Sequence, residues 1–254
     1  MEQSLETLII TQARTSSTRL PGKVLKTING KELLKIHTDR LKNSKLADKI
    51  IVATTIESID NQIEDLCKEW GVEVSRGSEN DVLDRFYKAC VKYNPKWVIR
   101  VTSDCPLIDP NLIDSIIEFT KINNVDYCSN TLIENFPDGQ DIEVFSFKSL
   151  EIAWKNAKLQ SEREHVTPYI RKNCETNQGN LFKAINYPCS KDYSKIRMTV
   201  DEIRDFELIV ELIDKLGEDK TWEEYTNYII QNELYLINGD IKRNEGYFKS
   251  LKKD

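Results

Sequence analysis

The chain has 254 residues, 39% hydrophobic and 31% charged, which supplies one full core and is too polar throughout for a membrane protein. Its net charge of −6 argues against a nucleic-acid surface, which needs a basic footprint, so any function that uses cations has to concentrate them locally. No segment approaches the ~20 apolar residues of a membrane helix, the opening MEQSLETLII lacks the basic start and long apolar run of a secretory leader, and the six cysteines are scattered without a C-x-x-C pair, predicting reduced cytoplasmic thiols and no zinc.

The apolar run at 8–11 reads as a buried strand. It runs straight into QARTSSTRLPGK, a loop carrying Arg14, Arg19 and Lys23. Three cations with several hydroxyl and backbone donors at one strand end suit a polyphosphate: arginine forks grip phosphate oxygens in pairs, lysine adds a point charge, and successive N–H groups form an anion nest. The spacing of a P-loop, G-x-x-x-x-G-K-[ST], is absent. A solvated basic turn is the plain alternative, disfavoured because cations beside a buried strand end are costly without an anion.

A helix follows at 33–41, with His37 on its apolar face in a structural role, then a strand at 49–54, an amphipathic helix at 59–70 and a short strand at 72–74. In RGSENDVLDRF, Gly77 and Ser78 form a turn and Asn80 or Asp81 caps a helix over 81–93. Backbone groups and Ser78 are placed there to read a base edge, while Arg76, Asp84 and Arg85 read equally well as a structural ion-pair set. The strand at 97–101 ends in RVTSDCPLIDP, putting Asp104 just past a buried strand and Asp109 at the cap of a helix that starts with Pro110. Alternating strands and helices predict an α/β fold with a doubly wound, mostly parallel sheet. Ligands in such sheets bind beyond the carboxyl ends of the strands, where both the cationic loop and Asp104 fall. A carboxylate beside a polyphosphate implies a divalent cation, since the bare anions repel; a turn or cap aspartate is the alternative.

Past Tyr127 the regularity breaks. The pattern predicts a turn at 136–139, a strand at 141–147, a helix at 150–157, a polar helix at 161–172, loops with a hairpin at 173–195, a strand at 196–200 and a helix at 202–216. Arg163 and His165 on the polar helix either bind an anionic acceptor or are incidental surface charges. Asp201, in MTVDEIRDF, is either a helix cap or, paired with Asp104, a ligand of Mg²⁺ between the α- and γ-phosphates of a nucleotide. From 221 the tail is helical, then charged. The economical reading is a single domain over 1–254 with an inserted acceptor-side lobe at about 131–195.

The segments ITQARTSSTRLPGKVL, RGSENDVLDR, RVTSDCPLIDP, PDGQDIEVFSF, REHVTPYI and MTVDEIRDF occur in that order. Together they resemble the spore coat polysaccharide biosynthesis protein F family of cytidylyltransferases, which is similar in its opening loop and strand-end aspartates to CMP-KDO and CMP-sialic acid synthetases. The resemblance covers about residues 8–212 and leaves the tail beyond about Glu218 unmatched. It implies a Rossmann-like nucleotide-diphospho-sugar transferase fold, CTP as donor, Mg²⁺ and a homodimer. It implies further that Ala13, Arg14, Arg19 and Lys23 meet the triphosphate, that Arg76, Gly77, Ser78 and Asp81 lie near cytosine, and that Asp104 and Asp201 hold the metal. Asp141, Glu143, Arg163 and His165 would then face the acceptor, with Arg14, Lys23 and Asp104 central to catalysis. The KDO and sialic acid enzymes differ from this protein in PDGQDIEVF and REHVTPY, so the acceptor's identity does not transfer.

The expected reaction is transfer of CMP from CTP to a sugar, sugar acid or phosphorylated acceptor with loss of pyrophosphate, feeding surface polysaccharide assembly. A guanylyl- or uridylyltransferase acting on a sugar 1-phosphate would use the same scaffold. A glycosyltransferase of the related fold would carry a D-x-D metal motif in the middle of its sequence, and none is clear here. A catalytically silent nucleotide-binding module would have lost the cationic loop or an aspartate, and all are present.

Overall fold

A computed structural model describes residues 5–254; positions 1–4, part of the stretch read as lacking a leader, lie outside the described residues. Strand β1 (Thr7–Gln12) is buried on both faces because it lies inside the sheet, paired along both edges. The hairpin β2 (Thr27–Ile28) and β3 (Lys31–Glu32) turns through Asn29 and Gly30, both at positive φ, and leads into α1 (Leu33–Leu41). Then β4 (Lys49–Thr55), α2 (Asn61–Glu69), β5 (Glu73–Gly77), α3 (Val82–Val91), β6 (Trp97–Thr102) and α4 (Pro110–Asn123) alternate as expected. Asp109 accepts from the Asn111 N–H at 2.8 Å and Pro110 occupies the first helical turn, so this cap is legible in the sequence.

The second half adds β7 (Tyr127–Ser129), β8 (Glu143–Ser146), α5 (Phe147–Asn156), α6 (Gln160–His165), α7 (Pro168–Lys172), β9 (Ala184–Asn186), α8 (Ile203–Leu216), α9 (Trp222–Gln231) and α10 (Glu245–Ser250). The seven-stranded sheet runs β5-β4-β1-β6-β8-β7-β9. β5, β4, β1 and β6 are mutually parallel, β8 is antiparallel to both β6 and β7, and β9 is parallel to β7. β1 therefore lies where the strand order reverses, and the crevice beyond its C-terminal end is the default ligand site.

Alternate residues of the central strand feed opposite layers. Leu8 and Ile10 pack with Phe86 of α3 and Leu150 of α5, whereas Ile9 joins Ile113 and Ile117 of α4. Full burial of each such aliphatic side chain contributes about 1.5–3 kcal/mol.

Three expectations are corrected. Residues 196–200 form no ladder; the segment is extended with one isolated bridge from Arg197 to Asp138, because its neighbour is the 136–139 turn and not a strand. The helix expected over 161–172 is two, broken where Val166 takes φ 72° and ψ −57° and Pro168, lacking an N–H, restarts the chain. The stretch 173–195 holds no hairpin but contributes β9, pairing parallel to β7, a strand that the sequence pattern does not mark.

Candidate active site

The cationic loop is fixed from below. Buried Asp60 accepts from the Thr15 N–H at 2.8 Å and the Thr15 hydroxyl at 2.6 Å, and also from the Thr55 hydroxyl. Gly22 closes the loop at φ 66°, a conformation strained for other residues, with its N–H on Thr15 O at 2.9 Å. The next residue, Lys23, is thereby driven inward. Its ammonium donates to Asp104 Oδ2 at 2.9 Å, Asp201 Oδ1 at 2.9 Å and Val200 O at 2.8 Å. Arg19 reaches the same Asp201 carboxylate at 3.0 Å. Cations from the first loop and aspartates from two distant segments thus share one crevice at the end of β1.

Burial opposes charge on both partners, yet their mutual attraction wins: Lys23 is raised above the ordinary lysine range and Asp104 is held well below the usual carboxylate range. Asp201 is not the cap of α8. Asp205 takes that task, its Oδ2 accepting from the Asp201 N–H at 2.9 Å and the Glu202 N–H at 3.0 Å, which leaves the Asp201 side chain facing the crevice.

Sequence reasoning missed the residue that holds this acidic wall. Arg197, 4% exposed, pairs through Nε with Asp205 at 2.9 Å, through Nη2 with Asp201 at 2.8 Å and through Nη1 with Asp138. One guanidinium therefore joins a crevice aspartate to the 136–139 turn. Gly139 permits the approach: a Cβ there would lie 2.6 Å from Met198 C and 2.7 Å from Thr199 N. The only sequence signal is an arginine four residues before Asp201 in an otherwise apolar segment.

Two cavities meet in the crevice. One, of about 700 Å³, is lined by Ala13, Arg14, Arg19, Lys23, Arg85 and Asp104 among others. The second, of about 610 Å³, is lined by Asp138, Asp141, Glu143, Arg100, Arg171 and Arg197 among others. Glu143 accepts from the Tyr127 and Thr167 hydroxyls, both at 2.6 Å, and pairs with Arg100. Burial would raise its pKa, but Arg100 and Arg171 hold it below the usual range. Asp141 is bound by Arg243 at 2.5 Å.

Residues common to both cavities mark the junction: Gln12, Arg19, Thr102, Asp104, His165, Asp201 and Gly246. Gln12 Oε1 and His165 Nε2 are sealed from solvent there without a hydrogen-bond partner. Burial, with Arg100 adding to it, lowers His165 to about 4, so its ring is neutral at physiological pH. Gln12 was not singled out from sequence, because a polar residue at a strand end carries no pattern of its own.

Other expected residues lie elsewhere. Arg76 spends its guanidinium on Thr55 O, Glu57 O, Asn61 and Glu64, the structural alternative of the two readings, and Gly77, Ser78 and Asp81 line neither cavity. Gly77 packs against Arg85, whose buried guanidinium lines the first cavity and is lowered to about 10 by burial. Arg163 lines neither cavity and is bound to Asp81 at 2.5 Å and to Trp154 O, because α6 packs on α3. Arg14 stays at the rim, paired with Glu79 at 3.0 Å. His37 is structural, its Nδ1 2.8 Å from Cys105 O and its Nε2 3.0 Å from the Thr11 hydroxyl.

The fit to a divalent cation rests on the donor set. Asp104 and Asp201 offer hard carboxylate oxygens close enough to share one ammonium, and a ligand's phosphate oxygens would complete the shell. Among the described residues no group of three or more His, Cys, Asp or Glu could hold a metal alone.

A family model described as cytidylyltransferase matches residues 8–241, further than the resemblance of the motifs reached. The chain is 37% identical to the spore coat polysaccharide biosynthesis protein SpsF of Bacillus subtilis, over 83% of this chain and 88% of that one. It is 30% identical to the 3-deoxy-manno-octulosonate cytidylyltransferase of Fusobacterium nucleatum, over 89% and 97% of the two proteins. Its fold is similar to a solved cytidylyltransferase from Leptospira borgpetersenii, with a TM-score of 0.85 at 33% identity, covering 95% of this chain and 100% of that one.

Proposed function

We propose that this chain, which belongs to the cytidylyltransferase family, transfers CMP from CTP to a hydroxyl of a sugar acid for surface polysaccharide assembly. The observation that carries the reading is the convergence of Lys23 and Arg19 on Asp104 and Asp201 where the two cavities join. CTP occupies the cavity lined by the cationic loop, and the acceptor occupies the cavity walled by Asp141 and Glu143.

The acceptor oxygen forms a bond to the α-phosphorus as the bond to the bridging oxygen breaks, pyrophosphate leaves with the electron pair, and the hydroxyl proton is lost to solvent water. Lys23 and Arg19 neutralise charge that grows on the α-phosphoryl oxygens and the leaving group, and the loop fixed by Asp60 presents them without reorganisation. Mg²⁺ held by Asp104 and Asp201 would supply Lewis-acid polarisation of the phosphoryl group and release Lys23 from both carboxylates toward phosphate. His165 is a weak base at about 4, suited to accept a hydrogen bond from the attacking hydroxyl more than to carry its proton away. Gln12 offers an unpaired carboxamide at the same point. Arg171, whose guanidinium donates to Thr131 O at 3.2 Å, is the cation on the acceptor side with most capacity to meet a sugar carboxylate.

The scattered cysteines support work in the cytoplasm and the family resemblance supports a homodimer; no described helix is long and apolar enough to cross a membrane. The test is pyrophosphate release with each nucleoside triphosphate, Mg²⁺ and 3-deoxy-manno-octulosonate as the probe acceptor. Release with CTP alone is expected. Preference for GTP or UTP would overturn the base assignment, and release without regard to a sugar acid would overturn the acceptor class.

A further inference from the structure

Beyond residue 241, where the family match ends, the chain crosses the mouth of both cavities. Arg243 pairs with Asp141, Asn244 donates to Glu134 at 2.9 Å, and Glu245 lies 3.3 Å from Arg19. The Tyr247 ring meets His165 edge-on at 5.2 Å, and the Asp254 side chain accepts from the Ser161 N–H at 2.8 Å and from the Ser161 hydroxyl. Within this span Gly246, Lys249, Ser250, Lys252 and Lys253 line the cavity that also contains Arg14, Arg19 and Lys23. Lys249 is held by Glu245 at 2.7 Å, whereas Lys252 and Lys253 have no ion-pair partner among the described residues.

We propose that residues 245–253 are a third wall of the CTP site, in which Lys249, Lys252 and Lys253 bind the triphosphate and Glu245 competes with it for Arg19. This rests on the assignment of that cavity to the CTP triphosphate. A protein with net charge −6 that gathers three exposed lysines along one edge of this cavity makes a local positive rim, and a polyanion is the ligand it attracts. Glu245 pairs with both Arg19 and Lys249, so a phosphate arriving at Arg19 has to displace this carboxylate. The same segment thus holds groups of opposite sign toward the ligand. A wall that merely supported the fold would not distinguish them.

The experiment is calorimetric titration of the full-length protein with CTP, and in parallel with inorganic tripolyphosphate, at low and high salt. Replacing Lys249, Lys252 and Lys253 together by Ala should raise the Kd about tenfold, since each solvated charge pair contributes little alone. Glu245→Gln should lower the Kd about threefold, and both effects should shrink at high salt. These variants leave the Arg243–Asp141 and Asp254–Ser161 anchors in place, and thermal melting should confirm that the tail stays docked. Triple-variant affinity equal to the parent's, or weaker binding by Glu245→Gln, overturns the proposal. If the parent binds tripolyphosphate with these responses but shows no preference for CTP, the tail assignment holds and the base assignment falls.

Discussion

Removing the Lys23 ammonium should expose the electrostatics on which the site depends. In Lys23→Met the stem still fills its space, but Asp104 and Asp201, each 2.9 Å from the lost nitrogen, face one another with no cation between them. Deleting one partner of a fully buried ion pair costs roughly 3–5 kcal/mol. Here the aspartate side chains are 26% and 20% exposed and Arg19 still touches Asp201, so solvent and that guanidinium reduce the expected loss to about 2 kcal/mol. For a domain of this size that is a fall in melting temperature of about 4–8 °C. Mg²⁺ should act in the opposite direction. At roughly thirty times its dissociation constant a ligand of the folded state alone stabilises by about 2 kcal/mol, so Mg²⁺ should restore most of the loss in the variant. It should do less for the parent, where Lys23 competes for the same oxygens. The assay is thermal unfolding of both proteins across a Mg²⁺ titration, and it needs no acceptor. A variant that melts within a degree of the parent, or equal responses of the two to Mg²⁺, would refute the shared-cation account.

Asp104→Asn should lower pyrophosphate release by about 10²-fold or more, the scale for losing one preorganised electrostatic group; near-normal turnover would remove Asp104 from the site. Arg197→Lys cannot span Asp138, Asp201 and Asp205 together, so it should both lower the melting temperature and weaken Mg²⁺-dependent CTP binding, measured by calorimetry. Arg171→Met should raise the KM for a sugar-acid acceptor while leaving the KM for CTP within about twofold, the pattern of lost ground-state binding. His37 is held at about 4 against 6.5 for a free imidazole, so the unfolded chain takes up the proton first and stability is lost as pH falls from 6.5 toward 4. At pH 5 this amounts to about 2 kcal/mol, and His37→Gln should melt with a correspondingly flatter dependence on pH between 7 and 5.

What the sequence determined by itself is the part governed by short-range pattern. Apolar runs of strand length alternating with helical periods specify β1, β4 and β6 and their helices, because a strand buried on both faces must be apolar throughout. The cationic loop, Asp104, Asp201 and the Asp109 cap were legible because each breaks or ends an apolar run. The two-sided readings of Arg76 and Asp201 could not be settled that way. Whether a side chain serves an ion pair, a cap or a cavity depends on what the fold brings to it from far along the sequence. Glu57 and Glu64 claimed Arg76, Asp205 relieved Asp201 of capping, and Asp81 drew Arg163 away from both cavities. Arg197, Gln12 and the tail were decided by tertiary structure alone, since bridging three carboxylates, lining a junction of cavities or crossing the mouth of a cleft leaves no period in the sequence. Electrostatic partners act through space over a few ångströms, and only the folded protein sets those distances.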